Sequence, residues 1–329
     1  MRSKRLFTLT PTLGACLFAV LLSTNLSAHA TSWPTKPISL IVPFPAGGTT
    51  DVLARALGDE LSQSLGQAVI VENKPGAGAT LGATFVARSP ADGYRLLMGA
   101  VHHTIATSVY PKLAYNFEED FAPITTVALV PNVLVINADT PAQSLNDLIG
   151  MAQQQAGKLS YGSNGYGTAQ HLIGTQFQQL TNTDILHVPY RGSSPLVTDL
   201  VGKQIDMSFD TVTPVLPHIK SGALKPLAVT TAQRSTALPN TPTLQELGLT
   251  GFNIGTWFGV LAPKETPEPI LEKLNSEMIK IIQSPKFASR MQEIGAEPVG
   301  NSRQAMQEQI ATETQKFAQL VREGNVQME

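Results

Sequence analysis

A glycine loop after the first apolar run is the segment best suited to bind a ligand. Residues 43–51 read PFPAGGTTD and lie between the apolar run 38–42 and a segment with helical periodicity. A helix N-terminus offers unpaired N–H groups and the positive end of the helix dipole. Glycine lets an anion approach that backbone closely. The segment predicts a site for a small anion without a catalytic side chain. An ordinary turn capped by Thr49 or Thr50 is the alternative.

A second loop of the same kind follows further along the chain. Residues 163–168 read SNGYGT, come after a predicted strand and precede a predicted helix with His171 in its first turn. Ligands of open α/β sheets bind beyond the carboxyl ends of the strands, where both loops lie. Two such sites facing each other across a cleft would suit a ligand with a carboxylate at one or both ends.

Catalytic, cofactor and metal motifs are weak by comparison. Ser163 lacks a G-x-S-x-G elbow, and the chain contains neither H-E-x-x-H nor a Walker motif. Segment 76–82, GAGATLG, departs from the dinucleotide fingerprint at its last glycine. Asp210 is open to three interpretations: a general base, a helix cap, or a hydrogen-bond acceptor for ligand or water. The pair 102–103, His-His, is expected in a loop at the cleft mouth or on the surface. We therefore predict no catalytic residue, no cofactor and no metal.

The N-terminus has the three parts of a secretory signal peptide. Three basic residues stand among the first five, an apolar run covers 13–22, and an A-x-A cleavage signal ends at residue 30. The apolar run is too short for a permanent membrane span. Cys16 also fits a lipoprotein cleavage site, but cleavage there would leave apolar residues on the mature chain. We predict that residues 1–30 are removed and that the protein is periplasmic.

The mature composition excludes several classes of partner. Cys16 is the only cysteine, so the mature chain has none and needs an ordinary hydrophobic core. Its 20 Lys and Arg against 25 Asp and Glu give a net charge of −5, without a basic run that would indicate nucleic acid. No second apolar stretch is long enough to span a membrane. About 300 residues are enough for two domains, and we expect a monomer.

Short apolar strands alternate with helical segments, which predicts an α/β fold with mainly parallel sheets flanked by helices. The helices after Pro263 have no sheet of their own and are expected to pack on the first domain. Two strands near 124–132 and 252–260 would cross between the domains and act as a hinge, with Trp257 and Phe258 packing there. The predicted division is 31–130 plus 254–329 for lobe 1 and 131–253 for lobe 2.

Motifs over the whole mature chain resemble one family. They are WPTKPISLIVPFPAGGTTD (33–51), VIVENKPGAGATLGA (69–83), ADGYRLLMG (91–99), FAPITTVALVPNVLVIN (121–137), KLSYGSNGYGTAQHL (158–172), HVPYRGSSPLVTDLVGKQIDMSFD (187–210), LPHIKSGALKPLAVTT (216–231) and WFGVLAP (257–263). In this order and spacing they are similar to the Bug family, the extracytoplasmic solute receptors of tripartite tricarboxylate transporters.

The resemblance implies a two-lobed periplasmic binding protein of type II, a Venus flytrap that closes on a small organic acid. Backbone N–H groups, hydroxyls and ordered water would hold the acid, and transporter membrane subunits would receive it. The contacts carried over from lobe 1 are Phe44, Ala46, Gly47, Gly48, Thr49, Thr50 and Asp51, with His103. Those from lobe 2 are Ser163, Gly165, Gly167, Thr168 and His171, with Tyr190, Gly192 and Asp210 at the rim.

This chain departs from the family pattern near the expected cleft. Thr49 stands where glycine is common, Ala106-Thr107 replace an Asn-Pro pair, and residues 211–213 are Thr-Val-Thr. A dicarboxylate, an aromatic acid and an acidic amino acid therefore stay open as ligands. Two other functions also stay open: an exported α/β enzyme that uses Ser163, His171 or Asp210 on a carboxylate, and a receptor that signals to a membrane sensor.

Overall fold

Two sheets, each covered by helices, form the part of the chain that the computed structural model describes, residues 33–324 and 326. The predicted signal peptide and Cys16 lie outside the described residues. None of the described helices is long and apolar enough to cross a membrane. The strands, in chain order, are β1 (Ile38–Val42), β2 (Val69–Asn73), β3 (Arg95–Ala100), β4 (Phe121–Pro131), β5 (Val133–Asn137), β6 (Ser160–Ser163), β7 (Leu186–Pro189), β8 (Met207–Ser208), β9 (Leu224–Val229), β10 (Gly255–Pro263) and β11 (Glu297–Pro298).

The helices cover both faces of the sheets, and a short 3-10 turn precedes the second helix at Ala77–Ala79. They are α1 (Thr49–Leu65), α2 (Thr80–Ala87), α3 (His102–Val109), α4 (Leu145–Gln154), α5 (Ala169–Thr181), α6 (Ser193–Val201), α7 (Val212–Lys220), α8 (Glu268–Ile282), α9 (Pro285–Glu293) and α10 (Arg303–Glu323). Helix α8 packs on α1 and β4, and α10 packs on α3 and β4. The C-terminal helices therefore cover the sheet that contains the first strands.

The first sheet has six strands in the order β11-β4-β10-β3-β1-β2, and the second has five in the order β7-β6-β8-β5-β9. We call the first sheet with its helices the first lobe and the second sheet with its helices the second lobe. Every residue of β5 is buried, and so are all but the first residue of β10. Such continuous burial is expected where helices cover both faces of a sheet. The prediction of a two-lobed α/β protein is confirmed.

The sheets are mixed, which corrects the expectation of mainly parallel sheets. β1 pairs in parallel with β2 and β3, and β6 pairs in parallel with β7 and β8. The other pairings are antiparallel, including that of β4 with β10. The reason is the return of the chain: β4 leads toward the second lobe and β10 leads back, so the two run in opposite directions side by side.

Asn132 ties the two crossing strands together where they meet the second lobe. It is fully buried between β4 and β5, and its Nδ2 donates to the Phe209 carbonyl at 2.9 Å. Its Oδ1 accepts from Thr256 Oγ1 at 2.8 Å, and its carbonyl accepts from Thr230 N at 3.0 Å. These bonds connect β10, β9 and the end of β8 at one point. The lobe boundaries at residues 130 and 254 stay a prediction.

Candidate functional site

The first glycine loop forms as the sequence predicts, and Asp51 holds its shape. Gly47 has a φ of +87°, which favours glycine, and Gly48 is the N-cap of α1. Asp51 Oδ2 accepts from Gly47 N at 3.0 Å, and its Oδ1 accepts from Arg55 at 2.9 Å and from Asn73 Nδ2 at 2.9 Å. Burial raises the pKa of Asp51, but these hydrogen bonds outweigh it and keep the pKa below its ordinary value. Asp51 therefore positions the loop and does not line the cavity described below.

The hydroxyl groups of the second glycine loop are also used inside the loop. Thr168, the N-cap of α5, donates from Oγ1 to the Gly165 carbonyl at 2.7 Å. Ser163 Oγ accepts from Gly165 N at 3.1 Å and lies 2.6 Å from His187 Nε2. Ser163 and Thr168 are both fully buried. Neither hydroxyl belongs to a residue that lines the cavity or the groove described below.

Two stacked imidazoles contact that loop. His171 Nδ1 accepts from Gly167 N at 3.3 Å, and the His171 ring stacks on His187 with centroids 4.1 Å apart. Burial lowers the pKa of His171 to about 4 and that of His187 to about 3. His171 therefore holds the loop at Gly167, and His187 supports the His171 ring.

A small cavity lies between the lobes where both glycine loops meet. From the first lobe it is lined by Phe44, Gly48, Thr49, Thr50, His102 and Phe258. From the second lobe it is lined by Asn164, Gln170, Ser193 and Thr211. Its volume of about 10 Å³ corresponds to the space for about one water molecule. No Lys or Arg stands in this wall, as the composition of the loops predicts.

Helix N-termini converge on this cavity. α1 begins at Thr49, α6 at Ser193 and α7 directly after Thr211, and Gln170 lies in the first turn of α5. Within the described residues, none of these four helices has a side-chain hydrogen bond at its N-cap, although the first N–H of α5, that of Ala169, donates to His102 Nδ1. Elsewhere, α4, α9 and α10 are each capped by a serine, whereas α2 and α8 also lack a side-chain cap. The cavity therefore faces uncapped positive helix ends, which favour an anion.

Asp210 lies beneath the cavity and not at the rim, where it was expected. It is fully buried, and burial raises its pKa. Its Oδ1 accepts from Thr211 N at 2.8 Å, Ser193 Oγ at 3.0 Å and Gln170 Nε2 at 3.2 Å. Its Oδ2 has no hydrogen-bond partner in the described part of the chain. The strand β8 ends two residues before Asp210, which places the carboxyl below the helix starts that surround the cavity.

The two adjacent histidines correct another expectation. Residues 102 and 103 are the first of α3 and are buried, not in a surface loop. His102 lines the cavity, and its Nδ1 accepts from Ala169 N of the other lobe at 3.0 Å. His103 turns away, stacks on Phe117 at 5.2 Å and accepts from Ala100 N at 3.1 Å. Adjacent helical residues point about 100° apart, so only one of the pair faces the cavity.

A larger groove continues from the cavity. It has a volume of about 390 Å³ and shares Phe44 and Asn164 with the cavity. Its other wall contains the glycine segment 76–78 on one lobe and Tyr190 and Arg191 on the other. Tyr190 Oη donates to Asp199 Oδ2 at 2.8 Å. Arg191 is exposed and makes no ion pair with the described residues. Among the residues that line the cavity or the groove, Arg191 is the only Lys or Arg.

The remaining predicted residues lie where the lobes touch. Ala46 accepts at its carbonyl from Ser194 Oγ at 2.8 Å, and a Cβ on Gly47 would lie 2.9 Å from the same Oγ. A Cβ on Gly192 would lie 2.8 Å from Pro45. Gly165 approaches Gly78 and Gly167 approaches Val109 across the same interface. These glycines therefore allow the lobes to come close.

Several cavity residues were missing from the prediction. They are His102, Asn164, Gln170, Ser193 and Thr211, together with Phe258, which was expected only in hinge packing. Two had a usable signal: Ser193 follows Gly192, and Thr211 follows a strand end, so each repeats the loop-to-helix pattern of the first glycine loop. Gln170 had no local signal, because its inward direction depends on the position of the whole helix α5.

The fold and the cavity together define a two-lobed α/β protein of the solute-binding class. The chain belongs to a family described as "Tripartite tricarboxylate transporter family receptor", which it matches over residues 53–326. It is 38% identical over 301 residues to Protein BugT of Bordetella pertussis, with 91% of this chain and 92% of that protein covered. The Bug-family resemblance is confirmed.

Solved structures agree with this assignment. The structure of periplasmic binding protein BugD is 37% identical, with a TM-score of 0.87, and covers 90% of this chain and 100% of its own. The structure of Rpa4515 from R. palustris with adipate is 35% identical, with a TM-score of 0.88 and the same coverage. The first of these is named a periplasmic binding protein, and the matching family is described as a receptor. Among residues 33–324 and 326, no cluster of His, Cys, Asp or Glu could hold a metal ion.

Proposed function

We propose that this protein is a periplasmic receptor that captures a small organic carboxylate and delivers it to the membrane subunits of a tripartite tricarboxylate-type transporter. The observation that carries the proposal is the convergence of uncapped helix N-termini on one cavity between the lobes. A carboxylate would supply the acceptors that these N–H groups lack. The similar protein Rpa4515, which has adipate in its structure, supports a carboxylate as the ligand class.

The proposed ligand position follows from the two adjoining spaces. The carboxylate group would lie in the deep cavity, held by N–H groups near Gly48 and by the hydroxyls of Thr49 and Thr50. The rest of the molecule would extend past Phe44 into the groove of about 390 Å³. Arg191 would face its far end. Because the cavity itself has a volume of about 10 Å³, the lobes must separate for the carboxylate to enter.

The periplasmic location rests on the sequence of residues 1–30, which has the pattern of a cleaved secretory signal peptide. The mature receptor would then begin near Thr31 and act as a monomer that meets the transporter subunits from outside the cytoplasmic membrane. Dicarboxylates, aromatic acids and acidic amino acids are the candidate ligands. They share the carboxylate and would place their differing remaining groups in the groove.

Gly48→Val tests where the carboxylate is held. Gly48 has a φ of −80°, which valine adopts without strain, and an added Cβ would lie 3.8 Å from Ser193 Cβ, an ordinary contact. The variant should therefore fold, while its methyl groups occupy the cavity. Losing two or more hydrogen bonds to a charged group should weaken binding more than about 100-fold. Calorimetric titration of mature protein with adipate, succinate, benzoate and glutamate measures this.

Lys225→Ala is the control, because its Nζ donates to Ala142 O and Gln143 Oε1 and does not line the cavity. It should bind the same acids with unchanged affinity. Equal affinity of Gly48→Val and the unaltered protein would show that the ligand binds elsewhere.

An exported enzyme is the second candidate, and the 2.6 Å contact of Ser163 Oγ with His187 Nε2 favours it. Against it, Ser163 is fully buried and does not line the cavity. Mass spectrometry after incubation with the tightest acid separates the two functions. A receptor returns the acid unchanged, whereas a chemically altered acid would support the enzyme.

A further inference from the structure

Two buried oxygens beside the cavity have no donor. Gln170 Oε1 and Asp210 Oδ2 are without a hydrogen-bond partner among the described residues, and both residues are 0% exposed. Gln170 belongs to the cavity wall, and Asp210 contacts it from below. Buried polar atoms in folded proteins are nearly always paired, so each unpaired atom indicates a missing partner.

The orientation of the Gln170 amide is determined by Asp210. Asp210 Oδ1 already accepts from Thr211 N and Ser193 Oγ, and Gln170 Nε2 donates to the same oxygen at 3.2 Å. The opposite orientation would place two acceptor oxygens against each other. Gln170 Oε1 therefore stands on the side of the amide away from this contact, as a buried acceptor of a residue that lines the cavity.

The residues around the cavity thus offer both hydrogen-bond donors and a hydrogen-bond acceptor. The starts of α1, α6 and α7 present donors, which suit a carboxylate. Gln170 Oε1 presents an acceptor, which a carboxylate cannot satisfy because an ionised carboxylate has no proton to donate. Since the cavity has a volume of about 10 Å³, the donor that satisfies Gln170 must lie within one or two bonds of the carboxylate.

We propose that Gln170, backed by Asp210, selects acids that carry a hydroxyl or ammonium group on the carbon next to the carboxylate. This inference rests on the proposed function. The ligand O–H or N–H donates to Gln170 Oε1 while the carboxylate accepts from the helix N-termini. An acid without that donor leaves a buried acceptor unpaired. Sites built to hydrogen-bond a ligand hydroxyl discriminate strongly against analogues that lack it.

Matched pairs of acids test the selection by calorimetric titration of the mature protein. Succinate is compared with malate and aspartate, glutarate with 2-hydroxyglutarate, and phenylacetate with mandelate. In at least one pair the donor-bearing acid should bind about tenfold tighter or more, the factor expected for one unpaired buried acceptor. Gln170→Met keeps the side-chain length and removes the acceptor. In this variant the ratio of the two affinities within a pair should fall to about twofold or less.

Gln176→Met is the matched control. Gln176 lies on the same helix, and its Oε1 is also buried without a described partner, but it does not line the cavity. This variant should keep the ratio of the unaltered protein. Asp210→Asn is the second variant, in case Gln170→Met does not fold; it replaces one acceptor by an amide donor and should also lower the ratio.

The outcomes separate the inference from the proposed function. If carboxylates bind but no pair differs, or if the ratio survives in both cleft variants, ordered water satisfies Gln170 and the inference is overturned while the receptor function stands. If none of the acids binds the unaltered protein, the proposed function fails and the inference fails with it.

Discussion

Buried imidazole rings lie on both sides of the cleft. Each of them makes the stability of the folded protein depend on pH. Burial lowers the pKa of His102 to about 3 and that of His103 to about 4. The same cause lowers the pKa of His171 to about 4 and that of His187 to about 3. In the unfolded chain an imidazole has a pKa of about 6.5. Below that pH the unfolded chain binds more protons than the folded protein, so acid favours unfolding.

His102→Asn should make the free energy of unfolding less dependent on pH. Stability from neutral His102 is fully present above about pH 6.5 and falls as the pH decreases toward 3, by about 1.4 kcal/mol per pH unit. Asparagine keeps an acceptor for Ala169 N but does not titrate. The free energy of unfolding, measured with urea between pH 4 and 7, should therefore have a slope smaller by about this amount. His218→Asn, outside the cleft, is the comparison. An unchanged slope in His102→Asn would mean that His102 is protonated in the folded protein.

At the scale of elements, serine caps stabilise three helix starts that lie away from the cavity, whereas the starts of α1, α6 and α7 at the cavity have no side-chain cap. Serines 144, 284 and 302 cap α4, α9 and α10 through side-chain hydrogen bonds. Such caps stabilise a helix by about 1 kcal/mol. The starts of α1, α6 and α7 lack this contribution, as do the starts of α2 and α8 elsewhere in the described residues. The crossing strands need their own stabilisation, because they are the only described segments in the first sheet that lead to the second lobe.

Asn132→Ala should weaken the junction of the crossing strands. It removes the bonds to the Phe209 carbonyl and to Thr256 Oγ1 inside a fully buried site. Leaving these groups without partners should lower the free energy of unfolding by about 2 kcal/mol. Urea denaturation measures this. Asn146→Ala on the exposed face of α4 should change it by less than about 0.5 kcal/mol. Equal effects of the two substitutions would show that Asn132 does not stabilise the junction.

At the scale of the whole molecule, contacts between the lobes surround the cavity. Thr49 Oγ1 lies 2.7 Å from Thr211 Oγ1, and Tyr110 Oη donates to the Tyr166 carbonyl at 3.0 Å. Glycine permits the closest approaches: a Cβ on Gly78 would lie 2.7 Å from the Tyr166 carbonyl oxygen of the other lobe. The proposed binding cycle therefore opens these contacts to admit the ligand and restores them around it.

Gly78→Ala should hinder closure of the lobes. Its added Cβ would lie 2.5 Å from Tyr110 Oη of the same lobe, a side-chain end that can move aside. The Tyr166 carbonyl is backbone and reaches the methyl group only when the lobes meet, so ligand affinity should fall about tenfold. The decrease in radius of gyration on ligand binding, measured by solution scattering with the tightest acid of the panel, should be reduced.

Gly66→Ala is the matched control, because Gly66 has a similar φ of +67° and its Cβ would meet no atom within 4 Å. Both variants carry the cost of a positive φ, but only Gly78→Ala should lose affinity. Equal loss in both would attribute the effect to backbone strain.

Local patterns in the sequence were enough to predict the fold class, the two glycine loops and the helices that follow them. The reason is that glycine conformation, helix starts and hydrophobic periodicity depend on neighbours within a few residues. The segment with helical periodicity after Gly48 is α1. The motifs also carried the family resemblance, since their order and spacing run through the whole chain.

Tertiary structure alone decided which side chains face the cavity. Thr49 meets Thr211 across 162 positions of sequence, and His102 meets Ala169 across 67. Whether Asp210 lies at a rim or beneath a cavity depends on how α6 and α7 pack above it. The direction of Gln170 depends in the same way on the placement of α5 against the other lobe. These relations arise from packing between distant segments, so no local pattern contains them.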